Sequence, residues 1–388
     1  MDKPTVQDIF HRFYPAYLDQ YSPSPVQANV AHNIMNCKTG AYGANVCVCE
    51  DCGFVQIHYN SCRNRCCPMC QAVPKEMWMD ARREDVLDAP YFHLVFTVPD
   101  ILNPVIYSNQ RLLYDALYHA ASSTISELTA DPKHLGAKVG YICILHTWGS
   151  EMNFHPHIHT ILLGGGLASN NQWKDNGENF FLPIRVISKM FRGKYLEELK
   201  RLWEEDKLVF HGTAEKFRNH YTFKELLDSC YGMDWIPHCK KTFNGAQTVI
   251  KYLGKYTHRI AVSNHRIVRM DDDTVTFLVK DYRNEGQWKE LTISGVEFVR
   301  RFLMHVPPRR FVRIRHYGLL CSRTKSQKLT LCRNLLGCKK YLSKLRDMEM
   351  PEILEHLYGI KVCVCKACGG HLGKPQMRMP LRLSLIHI

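Results

Sequence analysis

The alternation of apolar and polar positions along the chain predicts a mixture of strands and helices. Between residues 91 and 163 the order is strand, helix, strand, strand, which predicts the first half of a small antiparallel sheet with helices on one face. Helices are also predicted at 72–88, 185–207, 214–230, 246–256 and 296–305, and further strands at 54–59, 235–243, 274–279, 290–293 and 309–317.

The strand predicted after Pro156 places two histidines on one face. Side chains two apart in a strand point the same way, so His157 and His159 lie together with Ile158 packed behind them. Two adjacent imidazoles can hold one divalent metal and leave positions open for a phosphate oxygen. Taken alone, the pair is equally typical of surface or core histidines.

The helix predicted over 246–256 places Tyr252 and Tyr256 one turn apart, close enough to serve one site. Tyrosines at this spacing usually do no more than pack. A phenol is a weak nucleophile at neutral pH because its pKa is about 10. A nearby metal-bound phosphate and cations would make attack by such a phenol on phosphorus feasible.

The chain has 17 cysteines, no apolar signal segment at its N-terminus and no apolar run long enough to span a bilayer. These features predict a protein of the reducing cytoplasm, where Cys-x-x-Cys pairs are typical zinc ligands. Two such pairs flank a predicted ribbon strand, so we expect one tetrahedral zinc site formed by Cys49, Cys52, Cys67 and Cys70.

The remaining cysteines near the N-terminus leave two interpretations open. Cys62 and Cys66 can form half of a second zinc site with Cys37 and His32, or all are simple buried thiols. Near the C-terminus, the cysteines of residues 363–368 form at most a half-site for zinc, to which His371 can add a ligand.

The charge balance points to a polyanionic partner. Lys and Arg outnumber Asp and Glu by 51 to 37, so the net charge is +14 and the pI about 9.0. In the predicted strand 309–317, arginines and Phe311 share one face, a composition typical of a groove for single-stranded nucleic acid. A solvated edge strand is the alternative.

Taken together and in order, these motifs resemble those of transposases of the insertion-sequence-91 family, the two-tyrosine HUH class that moves DNA by a rolling-circle route. The resemblance covers about residues 5–370. It rests on the stretches 61–65, 67–71, 91–97, 145–149, His-Pro-His-Ile-His at 155–159, Tyr-Leu-Gly-Lys-Tyr-Thr-His-Arg at 252–259, and 313–318.

This resemblance implies an α+β fold, with a ferredoxin-like antiparallel sheet as the HUH core preceded by a small zinc ribbon. It implies that His157 and His159 bind Mg²⁺ or Mn²⁺, and that Tyr252 and Tyr256 are the nucleophiles that nick and rejoin single-stranded DNA at transposon ends and target sites. The expected DNA contacts are Arg63, Arg65, Lys255, Arg259, Arg309, Arg313 and Arg315.

Three domains are expected: a helical and zinc-ribbon DNA-binding domain (1–88), the catalytic domain (89–270), and a C-terminal DNA-binding region (271–388). The expected location is the bacterial cytoplasm, at the nucleoid. For a third metal ligand the candidates are Gln247 first, then Glu151 and His146.

Three alternatives differ in function. A plasmid replication initiator or relaxase would use the same site in another process. A non-catalytic zinc-ribbon regulator would keep the cysteines without needing the histidines or tyrosines, and both pairs are present here. A hydrolytic nuclease would not need a tyrosine pair and would leave no covalent protein–DNA adduct.

Overall fold

A computed structural model describes residues 3–176, 182–235, 237–243, 249, 254, 261–281, 286–374 and 376–378. The predicted helix 246–256 lies outside the described residues except for Val249 and Gly254, so Tyr252, Lys255 and Tyr256 are not described, and neither is Arg259. Among the helices that the structure does describe, none combines the length and the apolar character needed to cross a membrane.

Twelve strands are described, all paired antiparallel in three sheets. They are β1 (Ala44–Val48), β2 (Val55–Tyr59), β3 (Tyr91–Thr97), β4 (Lys138–Trp148), β5 (Phe154–Leu167), β6 (Trp173–Asp175), β7 (His238–Phe243), β8 (Ile267–Met270), β9 (Thr274–Asp281), β10 (Gln287–Ser294), β11 (Ile314–Gly318) and β12 (Gln376–Arg378).

The described α-helices connect and cover these sheets. They are α1 (Val6–Leu18), α2 (Pro25–Met35), α3 (Ala72–Arg83), α4 (Asn103–Ser108), α5 (Gln110–Ala130), α6 (Ile184–Glu204), α7 (His220–Gly232), α8 (Gly295–Met304), α9 (Lys325–Leu336) and α10 (Met350–Tyr358).

The central sheet has the strand order β11-β4-β5-β3-β7, and β6 pairs with the end of β5. Without β11 and β6, the chain order is strand, helices, two strands, helices, strand, with the first and third strands adjacent in the middle. This is the topology of a ferredoxin-like sheet. The predicted α+β fold with a ferredoxin-like core is confirmed, and β11 extends the sheet beside β4.

Alternate residues of the central strands serve opposite faces of this sheet. Phe92, Leu94 and Phe96 of β3, together with Ile158 and Leu162 of β5, pack with the buried faces of α5, α6 and α7 in the largest core. The intervening side chains point to the other face, which we call the histidine face because it includes His146, His157 and His159. Farther along it, Ile161 and Leu163 pack with Leu87, Leu329 and Val249.

A second core joins sequence segments far apart. Buried side chains of α1 and α2 pack there with those of β8, β9 and α8, for example Phe10 against Phe302 with ring centroids 5.2 Å apart. Cys37, Cys66 and Cys67 belong to the same core. The N-terminal helices thus pack on the segment 261–306, while the division into three domains stays a prediction.

The basic segment 309–317 is not one continuous strand, which corrects the prediction for it. Arg310 has a φ of 60°, and β11 begins only at Ile314. Phe311 is buried in the largest core, so it does not share an exposed face with Arg309 and Arg313. The alternating pattern is misleading here because Pro308 and the turn after it precede the strand.

Candidate active site and cysteine clusters

Three histidines from two neighbouring strands meet on the histidine face. One nitrogen each of His146, His157 and His159 lies within 4.8 Å of the others, a group able to hold a metal ion. β4 and β5 pair so that His146 stands directly opposite His157. The alternation of β5 places its two histidines side by side, as predicted, and the pairing with β4 adds the third.

Hydrogen bonds define which nitrogen of His157 can bind a metal. Its Nδ1 lies 2.7 Å from the carbonyl oxygen of His155, which only accepts, so Nδ1 carries the proton. Nε2 is then unprotonated and lies 3.1 Å from Nε2 of His159. Two nitrogens about 2.1 Å from a common ion have this separation when they subtend about a right angle.

Burial keeps the imidazoles of His157 and His159 neutral. His157 is 9% exposed and His159 is 8% exposed. Burial lowers the pKa of His157 to about 4 and lowers the pKa of His159 well below its usual value. Neutral imidazole is the form that binds a metal.

A fourth histidine supports this group from the neighbouring strand. Nε2 of His93, on β3, lies 2.8 Å from Nδ1 of His159, and the two rings stack with centroids 5.1 Å apart. If His159 donates this hydrogen bond, its Nε2 is unprotonated and faces His157. The alternation of β3, which is evident in the sequence, places His93 on the histidine face.

Two residues of the predicted helix 246–256 are described, Val249 and Gly254. Val249 is buried in the cluster that contains Ile161 and Leu163, and its backbone is helical. Gly254 is also helical, and it approaches Met79 of α3 so closely that a Cβ there would overlap the sulfur atom. Val249 therefore packs on the same side of the sheet as the histidines, and Gly254 packs against α3.

The ring of Trp148 lies between Arg313 and the histidine site. Its guanidinium carbon is 5.4 Å from the ring centroid of Trp148, and Trp148 stacks on His146 with centroids 4.5 Å apart. This cation–aromatic–imidazole arrangement places a positive charge at the edge of the site. Of the expected DNA contacts that are described, Arg313 is the one that these ring contacts connect to the histidines.

The other described arginines are placed differently. Arg315 pairs with Asp115 and lies over the ring of Tyr118, 4.0 Å from its centroid. Arg65 donates to the carbonyl oxygen of Phe311 at 2.7 Å, and so ties the first cysteine segment to the start of the basic segment. Arg63 and Arg309 are exposed. Their roles in DNA binding stay predictions.

The structure does not bring Cys49, Cys52, Cys67 and Cys70 together, which corrects the predicted four-cysteine site. Cys67 and Cys70 instead lie with Cys37 and Cys62, and all four sulfur atoms are within 4.8 Å of one another. Cys66, the other expected ligand here, is not in this group, and its thiol is buried in the second core. Burial raises its pKa to about 11.

The first Cys-x-x-Cys pair lies with cysteines that are far away in the sequence. Cys49 and Cys52 lie with Cys365 and Cys368, again with all four sulfur atoms within 4.8 Å. The C-terminal cysteines, expected to form at most a half-site, are therefore part of a complete four-cysteine group. Each Cys-x-x-Cys pair could be recognised in the sequence, but the sequence did not show which pairs come together.

The three candidates for a third metal ligand are placed differently. His146 joins the histidine pair, whereas Glu151 is not part of that group of metal-capable residues. Gln247, the first candidate, lies outside the described residues.

Comparisons with known proteins relate the chain to transposases. A family described as "Transposase zinc-binding domain" matches residues 9–98, and one described as "Putative transposase" matches residues 140–328. "Putative transposase y4qJ" of Sinorhizobium fredii (strain NBRC 101917 / NGR234) is 40% identical over 369 residues, which are 94% of this chain and 93% of the relative. "Transposase for insertion sequence element IS801" of Pseudomonas savastanoi pv. phaseolicola is 30% identical over 309 residues, 78% of this chain and 72% of the relative.

Among solved structures, "Conjugative Relaxase TRWC in complex with ORIT DNA", in its metal-bound form, is 12% identical with a TM-score of 0.24. The match covers 43% of this chain and 70% of that one. A similarity this low adds nothing to the topology already described.

The ferredoxin-like sheet, the zinc-binding segment and the transposase matches define a DNA-binding enzyme of the nuclease and strand-transferase class. More narrowly, the chain belongs to the insertion-sequence-91 family of transposases. The predicted function, rolling-circle transposition, is confirmed, and a plasmid initiator, a relaxase or a non-catalytic regulator is not favoured.

Proposed function

We propose that this transposase cuts and rejoins single-stranded DNA through a covalent phosphotyrosine link formed beside His146, His157 and His159. The observation that supports it most strongly is the buried three-histidine group itself. Val249, which is helical and comes three positions before Tyr252 in the chain, lies on the same face of the sheet. This placement supports Tyr252, and Tyr256 after it, as the nucleophiles.

The donor set fits a divalent metal. Three imidazoles whose ligand nitrogens lie within 4.8 Å can coordinate one ion and leave positions open for oxygen ligands. Of the two expected metals, Mn²⁺ suits imidazole better than Mg²⁺, which prefers oxygen ligands and retains water. When bound, the ion would polarise the scissile phosphate and offset the negative charge that develops there.

The side chains of this protein would carry the covalent steps. The phenol oxygen of one tyrosine attacks phosphorus, and the bond from phosphorus to the 3′ oxygen of the preceding nucleotide breaks. That oxygen leaves as a hydroxyl group with the proton released by the phenol. The 5′ phosphate stays joined to tyrosine, so a later attack by a 3′ hydroxyl rejoins DNA without water or ATP. A second tyrosine can accept a second strand in the same way.

Other parts of the chain would bind the substrate. We assign to Arg313 a contact with the DNA backbone near the histidine site, and to Arg63 and Arg309 contacts farther away. Cys37, Cys62, Cys67 and Cys70 would hold the zinc of the zinc-binding domain, which would present Arg63 and Arg65. The substrates are single-stranded transposon ends and target DNA, encountered at the bacterial nucleoid.

The test is adduct formation on a denaturing gel. Labelled single strands that span the terminal DNA of the element encoding this chain are incubated with the protein and Mn²⁺ or Mg²⁺. We expect a labelled band that survives denaturation and is absent from the Tyr252→Phe, Tyr256→Phe double variant, because phenylalanine lacks only the attacking hydroxyl. Each single variant then shows which tyrosine attacks first.

Two other outcomes would contradict the proposal. Free cleaved product without adduct would indicate a hydrolytic nuclease. An adduct of normal yield in the double tyrosine variant would show that another side chain is the nucleophile.

A further inference from the structure

The two Cys-x-x-Cys turns at 49–52 and 365–368 have the same backbone structure. The amide of Cys49 donates to the carbonyl oxygen of Phe54 at 2.9 Å, and the amide of Gly53 donates to that of Cys49 at 3.0 Å. In the C-terminal turn, Cys365 donates to Gly370 at 2.8 Å and Gly369 to Cys365 at 2.9 Å.

These hydrogen bonds occupy equivalent positions in the two turns, and so do the glycines. Gly53 and Gly369 directly follow the second cysteine of their turns, with φ of 71° and 77°. Such a left-handed residue lets the chain fold back around a cysteine pair. The two turns are therefore built alike, although 319 positions separate Cys49 from Cys368.

The two turns face each other with their sulfur atoms at the spacing of a metal site. Cys49 Sγ is 3.5 Å from Cys368 Sγ, and Cys52 Sγ is 3.8 Å from Cys365 Sγ. Four sulfur atoms each about 2.3 Å from a tetrahedral zinc ion are separated by about 3.8 Å. A disulfide would require about 2.05 Å, so these sulfur atoms are not bonded in pairs.

Backbone amides also point at the sulfur atoms. Ala367 donates to Cys365 Sγ and Gly370 to Cys368 Sγ, each at 3.4 Å. Amide donors favour the thiolate, the form of cysteine that binds metal.

Main-chain hydrogen bonds hold the turns against one another. Glu50 donates to the carbonyl oxygen of His371 at 3.2 Å, and Gly373 donates to that of Val48 at 2.9 Å. β12 then pairs with β1 as the edge strand of the N-terminal sheet. Cys47, Cys49, Cys365 and Leu372 form the small apolar core beneath.

We propose that Cys49, Cys52, Cys365 and Cys368 bind a structural zinc ion that joins the C-terminal segment to the N-terminal sheet. The site is separate from the histidine group and from the cysteine group of Cys37, Cys62, Cys67 and Cys70. Its C-terminal half lies outside the two matched family segments, which end at residues 98 and 328. The zinc-bearing part of this protein is thus assembled from both ends of the described chain.

The first test uses the wild-type protein and compares two thiols of one segment. Cys363 and Cys368 are both exposed, but Cys363 is not in the group. With zinc bound, we expect iodoacetamide to modify Cys363 quickly and Cys368 at least about tenfold more slowly, as read by peptide mass spectrometry. A chelator that removes zinc should abolish the difference. Equal rates in the metal-loaded protein would overturn the proposal.

The second test measures zinc per chain by elemental mass spectrometry in the full-length protein. The Cys365→Ser, Cys368→Ser variant should contain one equivalent less zinc than the matched control Cys363→Ser. Cys368→His should retain that equivalent, because histidine is itself a zinc ligand. Equal zinc in the double variant and the control would overturn the proposal. The readout does not depend on DNA cleavage, so failure of the proposed phosphotyrosine chemistry would leave it unaffected.

Discussion

The two faces of the central sheet are made by the same strands and yet have opposite chemistry. On the face covered by α5, α6 and α7, side chains such as Phe96, Ile158 and Leu162 are 0% exposed in an apolar core. On the histidine face, the residues next to Ile158 in sequence are His157 and His159, which contact each other and other histidines. One face is an apolar core throughout, whereas the other combines the histidine site with a smaller apolar cluster.

A small sheet can carry buried polar groups on one face when its other face is a well-packed apolar core. Imidazoles placed in the interior lose hydration, and burial lowers their pKa, so they cost stability unless hydrogen bonds or a metal compensate. The apolar core on the face covered by α5, α6 and α7 offsets that cost in stability. Because adjacent residues of β5 serve different faces, single substitutions along one strand can separate function from stability.

The largest effect is expected from removing the histidine pair. The His157→Ala, His159→Ala variant should form no DNA adduct, because two of the three proposed ligands are gone, while folding and DNA binding persist. Gel assays of adduct and binding measure both. The control is His155→Ala, whose side chain is partly exposed and pairs with Asp100 at 3.1 Å. Cleavage retained in the double variant would show that the metal lies elsewhere.

The next prediction concerns a substitution on the opposite face of the sheet, which is covered by α5, α6 and α7. Ile158→Ala should lower the free energy of unfolding by about 2–5 kcal/mol, because it removes a fully buried side chain from the largest core. Adduct formation should continue at temperatures where the variant is folded. Denaturant unfolding combined with the gel assay checks this. Loss of adduct in a folded Ile158→Ala protein would mean that the two faces are not separable.

A smaller effect is expected at His93, which we regard as a positioning residue for His159. His93→Phe removes the 2.8 Å hydrogen bond while leaving a ring of similar size. Metal affinity should fall about 10–100-fold, as for other partners of metal-bound histidines. Saturating Mn²⁺ should restore the cleavage rate, so the metal concentration for half-maximal activity is the readout. An unchanged metal requirement would contradict this role.

The last prediction concerns a buried histidine outside the metal group, which should affect only the acid sensitivity of folding. His305 is 3% exposed, donates from Nε2 to the carbonyl oxygen of Met152 at 2.9 Å, and lies 3.1 Å from the Thr147 hydroxyl at Nδ1. Burial lowers its pKa to about 4. The unfolded chain therefore binds more protons between that value and about 6.5, so this contribution to stability is complete above pH 6.5 and is lost as the pH falls toward 4.

That loss amounts to about 3 kcal/mol. His305→Gln should therefore make stability less dependent on pH between 6.5 and 4, as measured by denaturant unfolding at both ends of the range. Acid sensitivity that does not change in this variant would place the effect at the other buried histidines.

Several features of the site could be predicted from the sequence because they depend on local geometry. A strand of period two places His157 and His159 together without knowledge of any neighbour, and each Cys-x-x-Cys pair forms a turn that suits a metal. The same rule failed for Arg309 and Phe311, where a turn interrupts the apparent alternation. Local patterns therefore predict well where one element covers the whole motif.

By itself, then, the sequence determined the family, the ferredoxin-like core and the facing histidine pair. The tertiary structure decided that His146, one of the three candidates in the sequence, and His93 join that pair, since strand pairing brings them there. It also decided that Cys49 and Cys52 meet Cys365 and Cys368 and not the nearer Cys67 and Cys70. The physical reason is that all cysteine pairs offer the same ligands, and only the packing of the whole chain determines which of them come within coordination distance.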